Sequence, residues 1–322
     1  MTMRAIQATA FGDASVLRQA EVPVPEPSTG EVRVRVRAAG VNPVEVYIRN
    51  GGYGAKDPDL PHIPGSDAAG TVDAIGTGVT GYAVGDRVFV AGRGQGTYAE
   101  YTVSPSTDLG LLPDGLSYAQ GASVGVPGLA AHRALFGRGG LRAGETVLVH
   151  GASGAVGQMA VQLAAAAGAV VIGTAGSHDG LAAIEALGAA AVDHSRSDQY
   201  ERIRELTGGR GVDLTVEMLA NVNLADDAGI MARHGRIMVV GSRGSLDFTP
   251  RLLMAKELDV RGVTNAGYLP DERAAAVADL ARRLADGSLV PLVGRTFALA
   301  DAGAAQDHVM TARALGKVVL EV

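Results

Sequence analysis

The stretch "VLVHGASGAVGQMAVQLA", residues 147–164, reads as an apolar strand, a turn of small residues and a run with helical spacing. Aligned on G-x-G-x-x-G, the turn places Ala152 first, then Gly154 and Gly157, with Gly151 just before. Such a turn holds a pyrophosphate. Residues without side chains let the backbone approach the anion, the first helix amides face it, and a small third residue lets helix and strand pack closely. The strand before and the helix after are what give the motif its weight. An NAD site also needs an acidic side chain about 20 residues further on, to accept the ribose hydroxyls. In "VVIGTAGSHDG" (170–180) that place holds Gly173, Thr174, Ala175, Gly176 and Ser177, none of them charged. A carboxylate would repel the 2′-phosphate of NADP, so its absence favours NADPH, with Ser177 and the amides after Gly176 as phosphate donors. Asp179 follows closely, and its expected role is to cap the next helix.

These residues need a parallel sheet to position them. From about residue 121, strand and helix alternate. "AQGASVGVPGLAAHRALF" is helical, "ETVLVH" a strand, "AVGQMAVQLAAAAG" a helix, "AVVIGTA" a strand and "DGLAAIEALGA" a helix. "AVDH", "VDLTVEM" and "GRIMVVG" continue as strands, with the amphipathic "DQYERIRELTGGRG" among them. Alternation at this spacing predicts βαβ units. Residues 1 to about 120 have another texture, short strands punctuated by Pro and Gly. In "EVRVRVRAAGV" (31–41), Val32, Val34 and Val36 alternate with Arg33, Arg35 and Arg37, the pattern of a half-buried strand. Near the end come a helix, "DERAAAVADLARRLADG", and a strand, "GKVVLEV".

The chain has 322 residues, enough for two domains, and its 47% hydrophobic and 19% charged content describes a globular protein. Net charge is −6, and Lys56, Lys256 and Lys317 are the only lysines, which argues against a general nucleic-acid or anionic-membrane surface. The lack of cysteine removes disulfides, thiolate nucleophiles and thiolate-based zinc sites, and is compatible with a reducing cytoplasm. The N-terminal "MTMRAIQATAFGD" has no signal-peptide core, and the apolar stretch over 155–175 is broken by Gly157, Gln158, Gln162 and Gly168. It is read as helix plus strand, not as a membrane span.

"AAGVNPVEVYIRNGGY" (38–53), "PHIPGSDAAGTVDAIG" (61–76) and "GDRVFV" (85–90), followed by the glycine turn, resemble the medium-chain dehydrogenase/reductase superfamily over essentially the whole chain. In its zinc alcohol dehydrogenases a Cys falls at Asn42 and a Gly-His-Glu run at Gly65, Ser66 and Asp67; the Cys and His are missing here. "GRGQGTYAEY" replaces the cysteine-rich lobe. Without a Lewis acid to polarise an alcohol oxygen, alcohol oxidation is disfavoured. "GVNPVEVYIR", "VLVHGASGAVG", "GTAG", "EMLANVNL" (217–224), "VVGSRG" (239–244), "MAKE" and "GVT" (262–264) resemble the zinc-free branch, the zeta-crystallin-like quinone oxidoreductases. The resemblance implies an α/β chain with a GroES-like β-barrel catalytic domain, residues 1–122 and 266–322, and a Rossmann doubly wound parallel-sheet domain, 123–265. It also implies NADPH-dependent reduction of quinones held in an interdomain cleft, and a homo-oligomer, dimer or tetramer, with "LDVRGVT" (258–264) as a strand able to pair with its copy.

The resemblance places cofactor contacts on Tyr47, Ser153, Gly154, Ala155, Val156, Gly157, Gly176, Ser177, His194, Asn223, Val240, Gly241, Ser242, Arg243, Val263, Thr264, Asn265 and Lys317. A quinone accepts electrons readily, so the protein mainly orients it and stabilises charge on its oxygen. The resemblance puts Asn42 and Tyr47 at the site as amide and phenol donors, with Arg49 and Tyr53 at the quinone entrance; no metal is expected. For Asn42 and Tyr47 the plainer reading is a turn-forming Asn before Pro43 and a packed Tyr. Two alternatives stand beside this one. A reductase of activated double bonds would use the same cofactor site, and an RNA-binding or structural role would need a basic face. Arg33, Arg35 and Arg37, or Arg202, Arg204 and Arg210, are the stripes available for it.

Overall fold

The computed structural model describes every residue except Ala55, Arg93–Gln95 and Ala312–Ala314. Part of "GRGQGTYAEY" (92–101), the stretch standing where the cysteine-rich lobe falls, thus lies outside the described residues. The chain divides into two compact units. One is built on Met1–Val126 with the segment from Leu269 and the closing Gly316–Val322; the other is built on Pro127–Tyr268. Strands β1 (Thr2–Ala8), β2 (Leu17–Pro23), β3 (Glu31–Val41), β4 (Asp67–Ile75), β5 (Arg87–Ala91), β6 (Tyr101–Pro105) and β7 (Leu109–Leu111) belong to the first unit. The second holds β8 (Thr146–Val149), β9 (Val170–Ala175), β10 (Ala190–Asp193), β11 (Val212–Glu217), β12 (Met231–Val239) and β13 (Asp259–Gly262). The chain then returns to the first with β14 (Val293–Ala298) and β15 (Lys317–Glu321).

In the first unit β3 is the axis. Its alternating valines, Val32, Val34 and Val36, are buried against Val72, Val88, Val90 and Leu320. On the other face Arg33 bonds Asp73 at 2.7 Å and Glu26 at 2.9 Å, while Arg35 and Arg37 are exposed. The sheet runs β14-β15-β3-β4-β5-β7, with β6 also on β3. β15 lies antiparallel to β3, Val318 opposite Val41, so the last strand completes the sheet that the first part of the chain begins. Strands and turns are not the whole of this half. Pro43–Asn50 is a helix, started by a Pro at its first position and by Glu45, whose carboxylate reaches back to the Asn42 amide at 2.8 Å.

The second unit is a six-stranded sheet in the order β10-β9-β8-β11-β12-β13, parallel at every pairing. The apolar residues 155–175 resolve into the helix Ala155–Ala166 and strand β9. The chain winds one way from β8 to β10 and the other way from β11 to β13. Between β8 and β11 the winding reverses, and in sheets of this kind ligands bind at that switch, outside the carboxyl ends of the strands. No helix among the described residues is long and apolar enough to cross a membrane.

Candidate active site

The glycine turn follows β8. Gly151 is left-handed at φ +57°, and a methyl on Gly157 would sit 2.6 Å from Ala152 Cα, so helix and turn meet only through glycine. The helix Ala155–Ala166 starts at Gly154 with no side chain capping it, which leaves its first amides for an anion. Ser153, just before it, is buried. At the end of β9, a methyl on Gly176 would lie 2.5 Å from His194 Nε2, so His194, one residue past β10, packs against that glycine.

Ser177 caps the helix His178–Ala186, its Oγ accepting from the Gly180 amide at 3.2 Å. The expected cap, Asp179, is therefore corrected. A cap needs the extended backbone just before the helix, which Ser177 has at φ −142°, whereas Asp179 is already in the first turn. Capping uses Ser177 as an acceptor, and its O–H is still a donor.

The remaining strand ends carry the other residues expected at the cofactor. Past β12, the Val240 and Gly241 amides donate to the Glu217 carbonyl at 2.9 and 3.2 Å. Asn221 Oδ1 gathers the Arg243 amide at 2.8 Å and the Ser242 hydroxyl at 3.2 Å. Past β13, the Val263 amide bonds the Val239 carbonyl and Thr264 Oγ1 accepts from the Ala266 amide, which fixes the turn holding Asn265. Asn223, inside the helix Ala220–Ile230, donates to Glu217 Oε1 at 3.1 Å. Every expected cofactor residue except Tyr47 and Lys317, which belong to the first unit, thus lies along one sheet edge. The edge fits a dinucleotide: a turn with no room for a methyl, a helix start without a cap, and no carboxylate closing β9.

Beneath the turn is a cluster that sequence reasoning missed. His150 closes β8, Glu217 closes β11, and Asp227 comes from the helix Ala220–Ile230; all three are buried. His150 Nε2 lies 2.8 Å from Asp227 Oδ1 and 3.5 Å from Glu217 Oε2. Its Nδ1 is 3.3 Å from Thr174 Oγ1, which also accepts the Gly151 amide at 3.2 Å. Glu217 accepts the Leu219 amide. Burial pushes both carboxyls up to about 7, and it lowers His150, which is thereby neutral. A histidine and a glutamate ending the otherwise apolar "VLVH" and "LTVE" were the available signal.

In the first unit, the residues at the superfamily's metal positions form a second buried cluster. Asn42 Nδ2 donates to Asp67 Oδ2 at 2.9 Å and to Glu45 Oε1 at 3.0 Å, and its oxygen accepts from Lys317 Nζ. Lys317 also bonds Asp67 at 2.8 Å, and Tyr98 donates to Glu45 at 2.7 Å. Burial raises the Glu45 carboxyl, which the Lys317 ammonium and Asn42 partly offset. The amide orientation is fixed by charge, because flipping it would set its oxygen against two carboxylates and its nitrogen against an ammonium. Both amide hydrogens of Asn42 are consequently spent inside the cluster. The expectation that Asn42 donates to the substrate is corrected on that ground.

Arg49 is corrected too. It is 5% exposed, and its guanidinium is bound to Gln306 Oε1 at 2.6 Å and to the Gly12 carbonyl at 3.1 Å, so it does not face an entrance. Tyr47 is half-buried, with its ring centroid 5.7 Å from that of Tyr53, which is 48% exposed. These two rings are what the segment presents.

A parallel dinucleotide-type sheet, joined in one chain to a mainly antiparallel unit that the last strand completes, defines a two-domain dehydrogenase or reductase. Residues 28–114 match the family model "Alcohol dehydrogenase GroES-like domain", and residues 155–282 match "Zinc-binding dehydrogenase". The chain is 40% identical to the quinone oxidoreductase of Homo sapiens over 321 residues, 99% of this chain and 97% of that protein. A solved structure titled an NAD-dependent alcohol dehydrogenase superposes with a TM-score of 0.90 at 34% identity, covering 99% of this chain and 100% of that one. A mycobacterial structure complexed with NADPH superposes with a TM-score of 0.89 at 31% identity, over the same shares. The chain belongs to the quinone oxidoreductase family of medium-chain dehydrogenases/reductases. The zinc named by the second model does not fit these residues, since Asn42, Ser66 and Asp67 offer no thiolate or imidazole and a lysine ammonium is already bound to two of them.

Proposed function

We propose that this chain is a zinc-independent reductase that transfers electrons from NADPH to quinones. One observation carries the choice of acceptor. Where a metal would polarise an alcohol oxygen, the chain has a closed, hydrogen-bonded cluster of Asn42, Glu45, Asp67 and Lys317, so the substrate must accept electrons without a Lewis acid. A quinone does. NADPH, when bound, would supply the electrons. The turn at Gly151–Gly157 and the helix start after Gly154 hold its pyrophosphate, while Gly176, Ser177 and His194 receive the adenosine end. The loops at Val240–Arg243 and Val263–Asn265 complete the edge. On the quinone side, Tyr47 donates its phenol to the oxygen on which charge develops, and Tyr53 offers an aromatic face. Lys317 and Asn42 act by positioning the start of the helix that carries Tyr47.

The test is steady-state oxidation of NADPH and of NADH with phenanthrenequinone and, separately, with an enone. Turnover with NADPH and the quinone, and little with NADH, is the expected outcome. Equal use of both coenzymes would mean that the end of β9 does not discriminate, and preference for the enone would assign the chain to reduction of activated double bonds. We further propose a dimer paired through β13, the last strand of its sheet, where Val260 is 37% exposed. A monomer in light scattering would remove that proposal.

A further inference from the structure

The cluster under the glycine turn joins three elements that each end at the cofactor edge. From the turn, the Gly151 amide reaches Thr174 Oγ1, and Thr174 in turn meets His150 Nδ1. This leaves the His150 proton on Nε2, where it is given to Asp227 Oδ1. On the far side Glu217 holds the Leu219 amide and Asn223. Its carbonyl takes the Val240 and Gly241 amides of the loop past β12. No protein N–H or O–H is bonded to Asp227 Oδ2, although Asp227 is fully buried, and an oxygen of Asp227 and one of Glu217 lie within 4.8 Å of each other. Two buried carboxyls beside a neutral imidazole cannot both be ionised without a cation, and among the described residues none is bonded to them. A proton held between them removes the excess charge.

We propose that His150, Glu217 and Asp227 are positioning residues for the cofactor edge, locked in place by one proton shared between the two carboxyls, and that dinucleotide binding depends on keeping that proton. The inference rests on the cofactor reading given above. When the proton leaves, two carboxylates face each other in a dry site. Their separation pulls on the Leu219 amide, on Asn223 and, through His150 and Thr174, on the turn itself. A bound polyanion favours the protonated state further, so binding and proton retention are linked. The other ionisable groups facing the pair are Tyr200, from the helix Gln199–Leu206, and Asp226, beside Asp227. Neither supplies positive charge; burial first, and then Asp227, Asp226 and Glu217, push the Tyr200 phenol upward.

Two measurements on the full chain test the proposal. The first is infrared spectroscopy of the cofactor-free protein, which is expected to show the carbonyl stretch of a protonated carboxyl at pH 6.5. That band should fade on titration above pH 7 and be lost in Glu217→Gln and in Asp227→Asn. Its absence from the natural chain overturns the proposal without reference to any cofactor. The second is the Kd for NADPH, by fluorescence titration, between pH 6.8 and 8.5. Kd is expected to rise with pH, by up to about tenfold per unit, and to be flat in Glu217→Gln, whose amide keeps an acceptor for Leu219 and a donor for Asp227. The 2′-phosphate titrates near pH 6 and would move Kd the other way. A carboxyl band with the same pH slope in Glu217→Gln as in the natural chain overturns the linkage. A band with no NADPH binding at any pH overturns the cofactor reading instead, and with it the proposed function of the cluster.

Discussion

Each unit buries two carboxyl groups in a polar cluster, and the two clusters neutralise them by different means. In the first, Asp67 is bonded to the Lys317 ammonium, whose charge also acts on Glu45, and Asn42 and Tyr98 donate to the carboxyl oxygens. In the second, Glu217 and Asp227 have only a neutral imidazole and amides. The first cluster carries its cation on a side chain of the chain itself, whereas a shared proton is exchanged with solvent. The first cluster is accordingly a fixed support and the second a titrating one. The support lies at the positions where the resemblance to zinc alcohol dehydrogenases would put a metal, and Lys317 stands there with no Lewis acidity. Gly40 makes the room: a methyl on it would come within 2.8 Å of Lys317 Cε and 2.9 Å of Asp67 Cβ.

The strongest way to break the comparison is to remove the fixed cation. Lys317→Met keeps the volume and leaves Glu45 and Asp67 buried without a counter-charge. A loss of about 3–5 kcal/mol is expected in urea unfolding at pH 7, partly recovered in Lys317→Met combined with Asp67→Asn. A loss below about 1 kcal/mol would mean that the first cluster also holds itself together with a proton, and the contrast would disappear.

The titrating cluster should show itself in how stability depends on pH. Carboxyls of an unfolded chain ionise near pH 4, while Glu217 and Asp227 are held at about 7. Below pH 4 both states are protonated and nothing is lost. Between about 4 and 7 the unfolded chain binds fewer protons than the folded one, so this pair makes stability fall as pH rises, levelling off above 7. His150 works in the opposite sense. Its folded pKa is depressed, so its contribution is lost as pH falls below the ordinary histidine value. Glu45 is raised as Glu217 is, and the difference between the natural chain and Glu217→Gln isolates the second cluster. That difference should grow from pH 4 to 7 by on the order of 2 kcal/mol. A constant difference would show that no proton is involved.

The architecture was legible in the sequence because its signals are local. Val32, Val34 and Val36 against Arg33, Arg35 and Arg37 give β3 its two faces within a few residues. The glycine turn, the strand before it and the helix after it stand within "VLVHGASGAVGQMAVQLA". The clusters were not legible because their members meet only through the fold. Asn42 is 25 residues from Asp67, Asp67 is 250 from Lys317, and His150 is 77 from Asp227. Asn42 illustrates the difference in kind. Its position before Pro43 and three residues ahead of Glu45 marks a helix start, and a resemblance places it at the reacting centre, yet its second amide hydrogen and its oxygen go to Asp67 and Lys317, partners no local pattern names. Arg49 is the same case, a cation whose place is set by Gln306, 257 residues away.

The smallest expected effect concerns the residue where the two kinds of reasoning meet. Ser177 lies two residues past the strand at whose end an NAD-binding chain would carry a carboxylate, and its Oγ accepts from the Gly180 amide. Ser177→Ala removes that cap, at about 1 kcal/mol of stability, and removes one hydroxyl donor from the adenosine end. Ser177→Gly keeps most of the capping tolerance and removes the same hydroxyl. If Ser177 serves both the helix and the 2′-phosphate, both variants raise the Kd for NADPH by about three- to tenfold, the net range for one ordinary hydrogen bond, and leave the Kd for NADH unchanged. If only Ser177→Ala weakens binding, and weakens both coenzymes alike, the hydroxyl matters through the helix start alone. Preference for NADPH would then rest on the missing carboxylate and on the amides after Gly176, and placing a carboxylate at the end of β9, as in Gly176→Asp, would not test it cleanly. His194 Nε2 would lie 2.5 Å from the new Cβ and Ala175 is buried, so Ser177→Asp, which keeps a capping oxygen, is the variant to use.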